Sequence, residues 1–201
     1  AIALICRAIE EAGYDTDRVK IALDAASGEW YSEADGSYVM HKHGERYSRD
    51  DLMLYWESLC SKYPIISLED GLDQRDFDGW SRLTERLGDR MMLVGDDLFV
   101  TNTRRLARGI AEGAANAILI KPNQIGTLSE TLRVIQLARE SGYRFILSHR
   151  SGETEDTTLA DIAVAVNSPF IKTGAPCRGE RVAKYNRLLR IESSLNSSAI
   201  Y

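Results

Sequence analysis

Residues 145–154 read FILSHRSGET. The apolar run Phe145-Ile146-Leu147 ends abruptly in Ser148, His149, Arg150, Ser151 and Gly152. Such a segment is either a strand that has reached solvent or a strand that delivers a polar cluster to a site, and the rest of the chain separates the two. RFILSHRS (144–151) has five counterparts: VKIALD (19–24), PIISLED (64–70), RMMLVGDD (90–97), AILIKP (117–122) and FIKTG (170–174). Between these strand-like runs lie helical patterns. RDDLMLYWESLCSKY (49–63) sets Leu52, Tyr55, Trp56 and Leu59 on one face, and NTRRLARGIAEG (102–113), TLSETLRVIQLARESG (127–142) and TTLADIAVAV (157–166) keep a period near 3.6. Thr101 or Asn102, Thr127 and Thr157 suit N-caps. Gly13, Gly88, Gly113 and Gly142 stand where glycine closes a helix.

Strand alternating with helix argues a parallel α/β architecture. Near-continuous apolar strands fit a sheet buried on both faces. The repeat is one βα unit, a supersecondary period rather than a sequence duplication. Tyr31 to Arg49 holds a weaker, hairpin-like excursion with Asp35-Gly36 as its turn signal. No linker or low-complexity tract divides the chain, so residues 1–201 read as one domain, with SSLNSSAIY (193–201) its only soft segment.

Composition narrows the class. Of 201 residues, 44% are hydrophobic and 27% charged, which allows a packed core and excludes a disordered chain. The net charge of −5 and pI near 5.3 disfavour a general nucleic-acid binder, though not a local basic pocket for a small anion. Cys6, Cys60 and Cys177 are odd in number, widely spaced and without metal-binding spacing, as expected of a reduced, cytoplasmic setting. Cys6 and Cys60 fall in helical patterns and read as core residues. No apolar run approaches the roughly 20 residues of a membrane span, and there is no signal peptide. Ala1 opens inside a helical pattern, AIALICRAIEEAG, without Met or cap, so the expectation is a chain cut from something longer.

Chemistry collects at the strand ends. VKIALD ends in Asp24, PIISLED in Glu69 and Asp70, RMMLVGDD in Asp96 and Asp97, AILIKP carries Lys121, RFILSHRS ends in His149, Arg150 and Ser151, and FIKTG carries Lys172. In a parallel barrel these ends form the active-site face, and in an open parallel sheet they line the ligand crevice. One acidic strand end is usually a cap or a solvated loop; six consecutive strands ending in ionisable groups are hard to read as caps. Asp24, Glu69 and Asp96 are hard oxygen donors on three strands and suit Mg²⁺. Without a cation, three carboxylates in one pocket would raise one another's pKa. Lys121, His149, Arg150 and Lys172 suit an anionic substrate, a phosphate or a carboxylate. A lysine near cations and partly desolvated gives up its proton more readily, which makes Lys121 either a general base or a static anion-binding lysine.

Long segments resemble one family. ALDAASGEWY (22–31), LEDGLDQRDFDGW (68–80), LVGDDLFVTN (93–102), LIKPNQIGTLSET (119–131), LSHRSGETEDTTLADIAVA (147–165), IKTGAP (171–176) and RVAKYNRLLRIE (181–192) look like the C-terminal barrel of enolase, phosphopyruvate hydratase, from Ala1 to about Glu192. The resemblance implies a TIM-type (β/α) barrel that is incomplete here, with parallel strands and outer helices, its first strands and an N-terminal α/β domain lying before Ala1 and its C-terminus slightly short. It implies a lyase of glycolysis and gluconeogenesis, the Mg²⁺-dependent reversible dehydration of 2-phosphoglycerate to phosphoenolpyruvate. The family's metal ligands fall on Asp24, Glu69 and Asp96, its base on Lys121, its phosphate contacts on Arg150 and Ser151, and its second lysine on Lys172, with His149 in the same pocket. Its general acid, a glutamate, falls before this chain, so the fragment alone is expected to be inactive. A homodimer or higher oligomer, a cytoplasmic location with a secondary cell-surface or secreted pool, and a bacterial style at Gly71, where some members have Pro, follow from resemblance only. Gly28 and Gly179 depart from the small polar residues more common at those positions and read as tolerated variation.

Other readings stay open: another metal-dependent lyase or racemase of the same superfamily, a non-catalytic enolase-like interaction protein, or an α/β domain with capped strand ends. SHRSGET and IKTGAP favour enolase, because they supply a phosphate pocket. Retention of Asp24, Glu69, Asp96, Lys121 and Lys172 together argues against an evolved loss of activity.

Overall fold

The computed structural model describes residues 1–40 and 44–199. The chain opens with α1 (Ile2–Glu11) and β1 (Ile21–Asp24), then a short helical turn at Ser27–Trp30. An antiparallel excursion follows: β2 (Tyr31–Ser32), β3 (Ser37–Met40) and β4 (Glu45–Tyr47), paired in that order. From there strand and helix alternate: α2 (Arg49–Lys62), β5 (Ile65–Glu69), α3 (Phe77–Leu87), β6 (Met92–Gly95), α4 (Thr103–Glu112), β7 (Ala117–Ile120), the single turn α5 (Pro122–Ile125), α6 (Leu128–Glu140), β8 (Arg144–Ser148), α7 (Thr158–Ala165), β9 (Phe170–Lys172) and α8 (Gly179–Leu195).

All six expected strands form, and all pair in parallel in the order β1-β5-β6-β7-β8-β9. The sheet curls so that its two edge strands face each other. Leu23 of β1 and Phe170 and Ile171 of β9 line one cavity of about 310 Å³ together with Ile66, Met92 and Ile146. Six curled parallel strands with flanking helices are an incomplete TIM-type barrel, as the alternation predicts.

Strand residues sort to two faces. Leu68, Leu93, Ile118, Ile120 and Leu147 join the large core beneath the helices, with Trp80, Leu83, Phe99, Leu106 and Val134. Met92, Val94, Ala117, Leu119 and Ile146 form a second, smaller core inside the curl, with Phe170 packed against it. The period of two in β6 and β7 therefore sends alternate apolar residues to two buried faces, which is why those strands read as unbroken apolar runs. Each fully buried aliphatic side chain contributes about 1.5–3 kcal/mol of transfer free energy.

Local signals held unevenly. Asn102, not Thr101, caps α4: its Oδ1 accepts the N–H groups of Arg104 and Arg105 at 2.9 and 3.2 Å. Thr127 caps α6 by accepting from Glu130 N–H at 3.2 Å. Thr157 takes the cap position of α7 without a side-chain cap bond, while Asp156 accepts from Thr158 N–H at 2.9 Å. Gly113 ends α4 in the left-handed region at φ +69°, where glycine is unstrained. Gly88 ends α3 at φ −62°; there the need is space, because a Cβ would meet the Thr84 carbonyl at 2.6 Å. The Asp35-Gly36 turn forms, with Asp35 accepting from Ser37 N–H at 3.2 Å, but residues 41–43 of the excursion lie outside the described residues.

Two expectations, on the cysteines and on the C-terminal segment, need correction. Cys6 and Cys60 pack against the core and are only partly buried. Helix α1 buries no residue fully, leaving Leu4 and Ile5 exposed. Ser193–Leu195, expected to be soft, completes α8; residues 200–201 of that segment lie outside the described residues. Among the described residues no helix is long and apolar enough to cross a membrane.

Candidate active site

The eight residues singled out by sequence all stand at the C-terminal ends of the sheet strands. Asp24 ends β1, Glu69 ends β5, Asp96 follows β6, Lys121 follows β7, His149, Arg150 and Ser151 follow β8, and Lys172 ends β9. Parallel pairing places Asp24 opposite Glu69 and Ser148 opposite Lys172. Because the sheet curls, Lys172 reaches across to the far edge. Its Nζ donates to Asp24 Oδ2 at 2.9 Å and to both Glu69 oxygens, Oε1 at 2.8 Å and Oε2 at 2.9 Å. Lys121 Nζ pairs with Asp96 Oδ2, and Gln124 Nε2 lies 3.4 Å from Asp96 Oδ1.

The electrostatics follow from burial. Glu69 is pushed up to about 7, first by desolvation, with Asp24 and Asp96 adding and Lys172 opposing. Lys172 is itself held above the ordinary lysine value: burial opposes its charge, and Glu69 and Asp24 outweigh that. His149 is held below the ordinary imidazole value by burial and then by the Arg181 and Lys172 charges.

The carboxylates fit a hard divalent cation. Asp24, Glu69 and Asp96 offer only oxygen and stand on adjacent strands β1, β5 and β6. Glu69 and Asp96 are buried, and a buried carboxylate stays ionised only beside positive charge. Two lysine ammonium groups hold these oxygens in the structure. Asp70, Asp96 and Asp97 form a second grouping, with carboxylate oxygens within 4.8 Å of one another.

The basic side of the mouth is built by loop contacts. The Arg150 guanidinium donates to Asn123 Oδ1 at 2.9 Å, tying the end of β8 to the turn after Lys121. Arg150 N–H donates to Glu153 Oε2 at 3.1 Å. Ser151 is exposed, and Arg150 and His149 are partly buried.

Several contributors escape a reading of strand ends alone. Asp70 sits in the left-handed region at φ +46°, a strained position for a residue with a side chain. Its carboxylate accepts the Asp96 and Asp97 N–H groups at 3.1 and 2.8 Å, which shapes the turn carrying Asp96. Burial, with Asp96 and Asp97 adding, pushes its pKa up to about 8. Thr101, buried at φ +53°, accepts from Lys121 N–H at 2.8 Å and donates to Gln124 Oε1 at 2.8 Å. Arg181 and Lys184 on α8 are buried cations that hold the loop after β8 through the Ser151 and Thr154 carbonyls. The strand-end pattern includes Asp70 but not the turn it shapes, and it does not point to Thr101, Arg181 or Lys184, although Thr101 lies inside a quoted motif.

A mouth of strand-end carboxylates facing lysine, histidine, arginine and serine across a curled parallel sheet defines the active-site face of a (β/α)-barrel enzyme. Residues 1–201 match the family described as Enolase, C-terminal TIM barrel domain, and the chain belongs to that family. It is thereby a member of the enolase superfamily, whose domain is that of lyase- and racemase-type enzymes.

Proposed function

We propose that the protein is an enolase, a phosphopyruvate hydratase of bacterial style, which reversibly dehydrates 2-phosphoglycerate to phosphoenolpyruvate with Mg²⁺. The observation that carries this is the order of groups around the mouth: three carboxylates on adjacent strands β1, β5 and β6, then Lys121, then the His149-Arg150-Ser151 loop, then Lys172 closing back onto Asp24 and Glu69.

Each residue has a part in that reaction. Arg150, with Ser151 beside it, holds the phosphate by charge-assisted hydrogen bonds. Lys121 removes the proton from the carbon next to the carboxylate, as a positioned general base. That proton is weakly acidic, because its loss puts a second negative charge on the carboxylate. Lys172, fixed between Asp24 and Glu69, sets a positive charge at that carboxylate before the reaction begins, and such preorganised charge is often the largest catalytic contribution. Asp24, Glu69 and Asp96 would hold Mg²⁺, which would supply further positive charge for the same carboxylate. His149 lines the same pocket. Departure of the hydroxyl calls for a proton donor, a role assigned to none of these eight residues.

The proposal extends to a place in glycolysis and gluconeogenesis, a cytoplasmic setting and a homodimer or higher oligomer. Turnover of 2-phosphoglycerate by the full-length protein tests it. Inactivity on this substrate with activity on another carboxylate substrate would favour a different lyase or racemase, and inactivity on all of them a binding role.

A further inference from the structure

We infer that Arg181 is a positioning residue for the loop after β8: it fixes the His149 ring in one tautomer and holds the Arg150 and Ser151 carbonyls, so that the anion-binding loop is set before any ligand arrives.

The geometry is specific. Arg181 is 7% exposed, and its NH1 lies 2.6 Å from His149 Nδ1. The same NH1 donates to the Arg150 carbonyl at 2.8 Å, and NH2 donates to the Ser151 carbonyl at 2.9 Å. A guanidinium has donors only, so the Nδ1 facing it must be the bare, accepting nitrogen. The neutral ring then carries its proton on Nε2.

The approach of Arg181 is itself built in. Gly174 stands at φ +91°, and a Cβ there would meet Arg181 Cδ at 2.7 Å and His149 Cε1 at 3.1 Å. Lys184 and Tyr185 lie on the same face of α8, at the i+3 and i+4 positions. Lys184 Nζ donates to the Thr154 carbonyl and, at 2.8 Å, to the Glu180 carbonyl, while Tyr185 OH donates to the Gly174 carbonyl. One helix face therefore grips both the loop after β8 and the loop after β9. The nearest carboxylates stand farther off, Glu180 at 3.8 Å from Arg181 and Glu153 at 3.6 Å from Lys184. Arg181 makes its short contacts to the His149 ring and to the Arg150 and Ser151 carbonyls, and Lys184 reaches the Thr154 carbonyl of the same loop, contacts a mere surface ion pair would not require.

The test uses the full-length protein, with Arg181→Gln and Arg181→Lys beside the parent. Ring ¹⁵N spectra, with His149 assigned from a His149→Gln variant, read the tautomer. The parent should show a bare Nδ1 and a protonated Nε2, and both variants should show a mixture, because neither side chain offers the planar fork. The kinetic arm rests on the hydratase reading. There, KM for 2-phosphoglycerate and the inhibition constant of inorganic phosphate should both rise about ten- to a hundredfold in Arg181→Gln, with a smaller fall in kcat. Arg181→Lys should fall between, since it keeps the charge and loses the fork. If Arg181→Gln does not fold, Arg181→Lys carries both arms. A parent ring protonated on Nδ1, or variants with the parent's tautomer and a KM within about twofold, would overturn the inference. If the parent is inactive on 2-phosphoglycerate, the hydratase reading falls, and the tautomer still decides the role of Arg181.

Discussion

Lys172 and Asp24 stand 148 residues apart in the chain and 2.9 Å apart in space. One ends the last strand of the sheet and the other ends the first, so their contact measures how far the sheet has curled. The same ammonium group also holds Glu69, a buried carboxylate on the neighbour of β1. A single lysine thus closes the mouth of the barrel electrostatically and shares the carboxylates assigned to the metal.

Replacing Lys172 should expose that double duty. Lys172→Ala leaves Glu69 with burial and Asp24 against its charge and no lysine partner. Removing one partner of a fully buried pair costs about 3–5 kcal/mol. Lys172 is about one-third exposed, so a loss of about 1–2 kcal/mol is expected in metal-free buffer. If the carboxylates hold Mg²⁺, saturating Mg²⁺ should recover most of that loss. Urea melts with and without Mg²⁺ measure it, and an equal loss in both would count against a shared cation site.

Arg150 should act on substrate affinity. Arg150→Gln keeps a donor and removes the charge, so KM for 2-phosphoglycerate should rise about ten- to a hundredfold while the melting temperature changes little. A KM unchanged alongside a lower kcat would take the phosphate away from Arg150.

Phe99 is wedged against two glycines. A Cβ on Gly95 would lie 2.5 Å from Phe99 Cδ2, and one on Gly109 would lie 2.5 Å from Phe99 Cε1. Gly95→Ala and Gly109→Ala should each destabilise by about 1–3 kcal/mol through overpacking. The two should not add, because once Phe99 has shifted for one methyl it has partly moved for the other. Denaturant melts of the singles and the double decide; strict additivity would mean that Phe99 does not couple them.

His149 gives the chain a pH-dependent component. Burial, Arg181 and Lys172 hold its folded-state value below the ordinary value of 6.5. The unfolded chain therefore binds this proton first as pH falls, and the folded state loses stability below about pH 6.5. Above that pH both states are neutral at this residue and the contribution is constant. His149→Gln should flatten the stability profile between about pH 6.5 and 5 relative to the parent. Parallel profiles would show that His149 titrates as freely in the folded chain as in the unfolded one.

Much of this was legible in the sequence because it is periodic. Six apolar runs gave six strands, since a strand buried on both faces is continuous in hydrophobicity. The ionisable group after each run stands at one face because parallel strands all end on one side. What pattern could not carry is contact between distant side chains. Helix α3 buries Phe77, Trp80, Leu83 and Leu87 along one stripe, but which elements that stripe packs against is not written in its spacing. The strained turns at Asp70 and Thr101 depend on hydrogen bonds with Asp96, Asp97 and Lys121, which lie about 20 or more residues away in sequence. Arg181 belongs to a stretch quoted only for its resemblance; its role needs the curl of the sheet and the absent Cβ of Gly174.

The central claim is that Lys121 is the base of a Mg²⁺-dependent dehydration. The direct measurement is phosphoenolpyruvate formation from 2-phosphoglycerate with Mg²⁺ by the full-length protein, beside a Lys121→Ala variant whose folding is checked by its melt. The account predicts turnover by the parent and a loss of about three orders of magnitude or more in the folded variant, the scale of a general base. An inactive parent, or a Lys121→Ala variant within about tenfold of the parent, would contradict it.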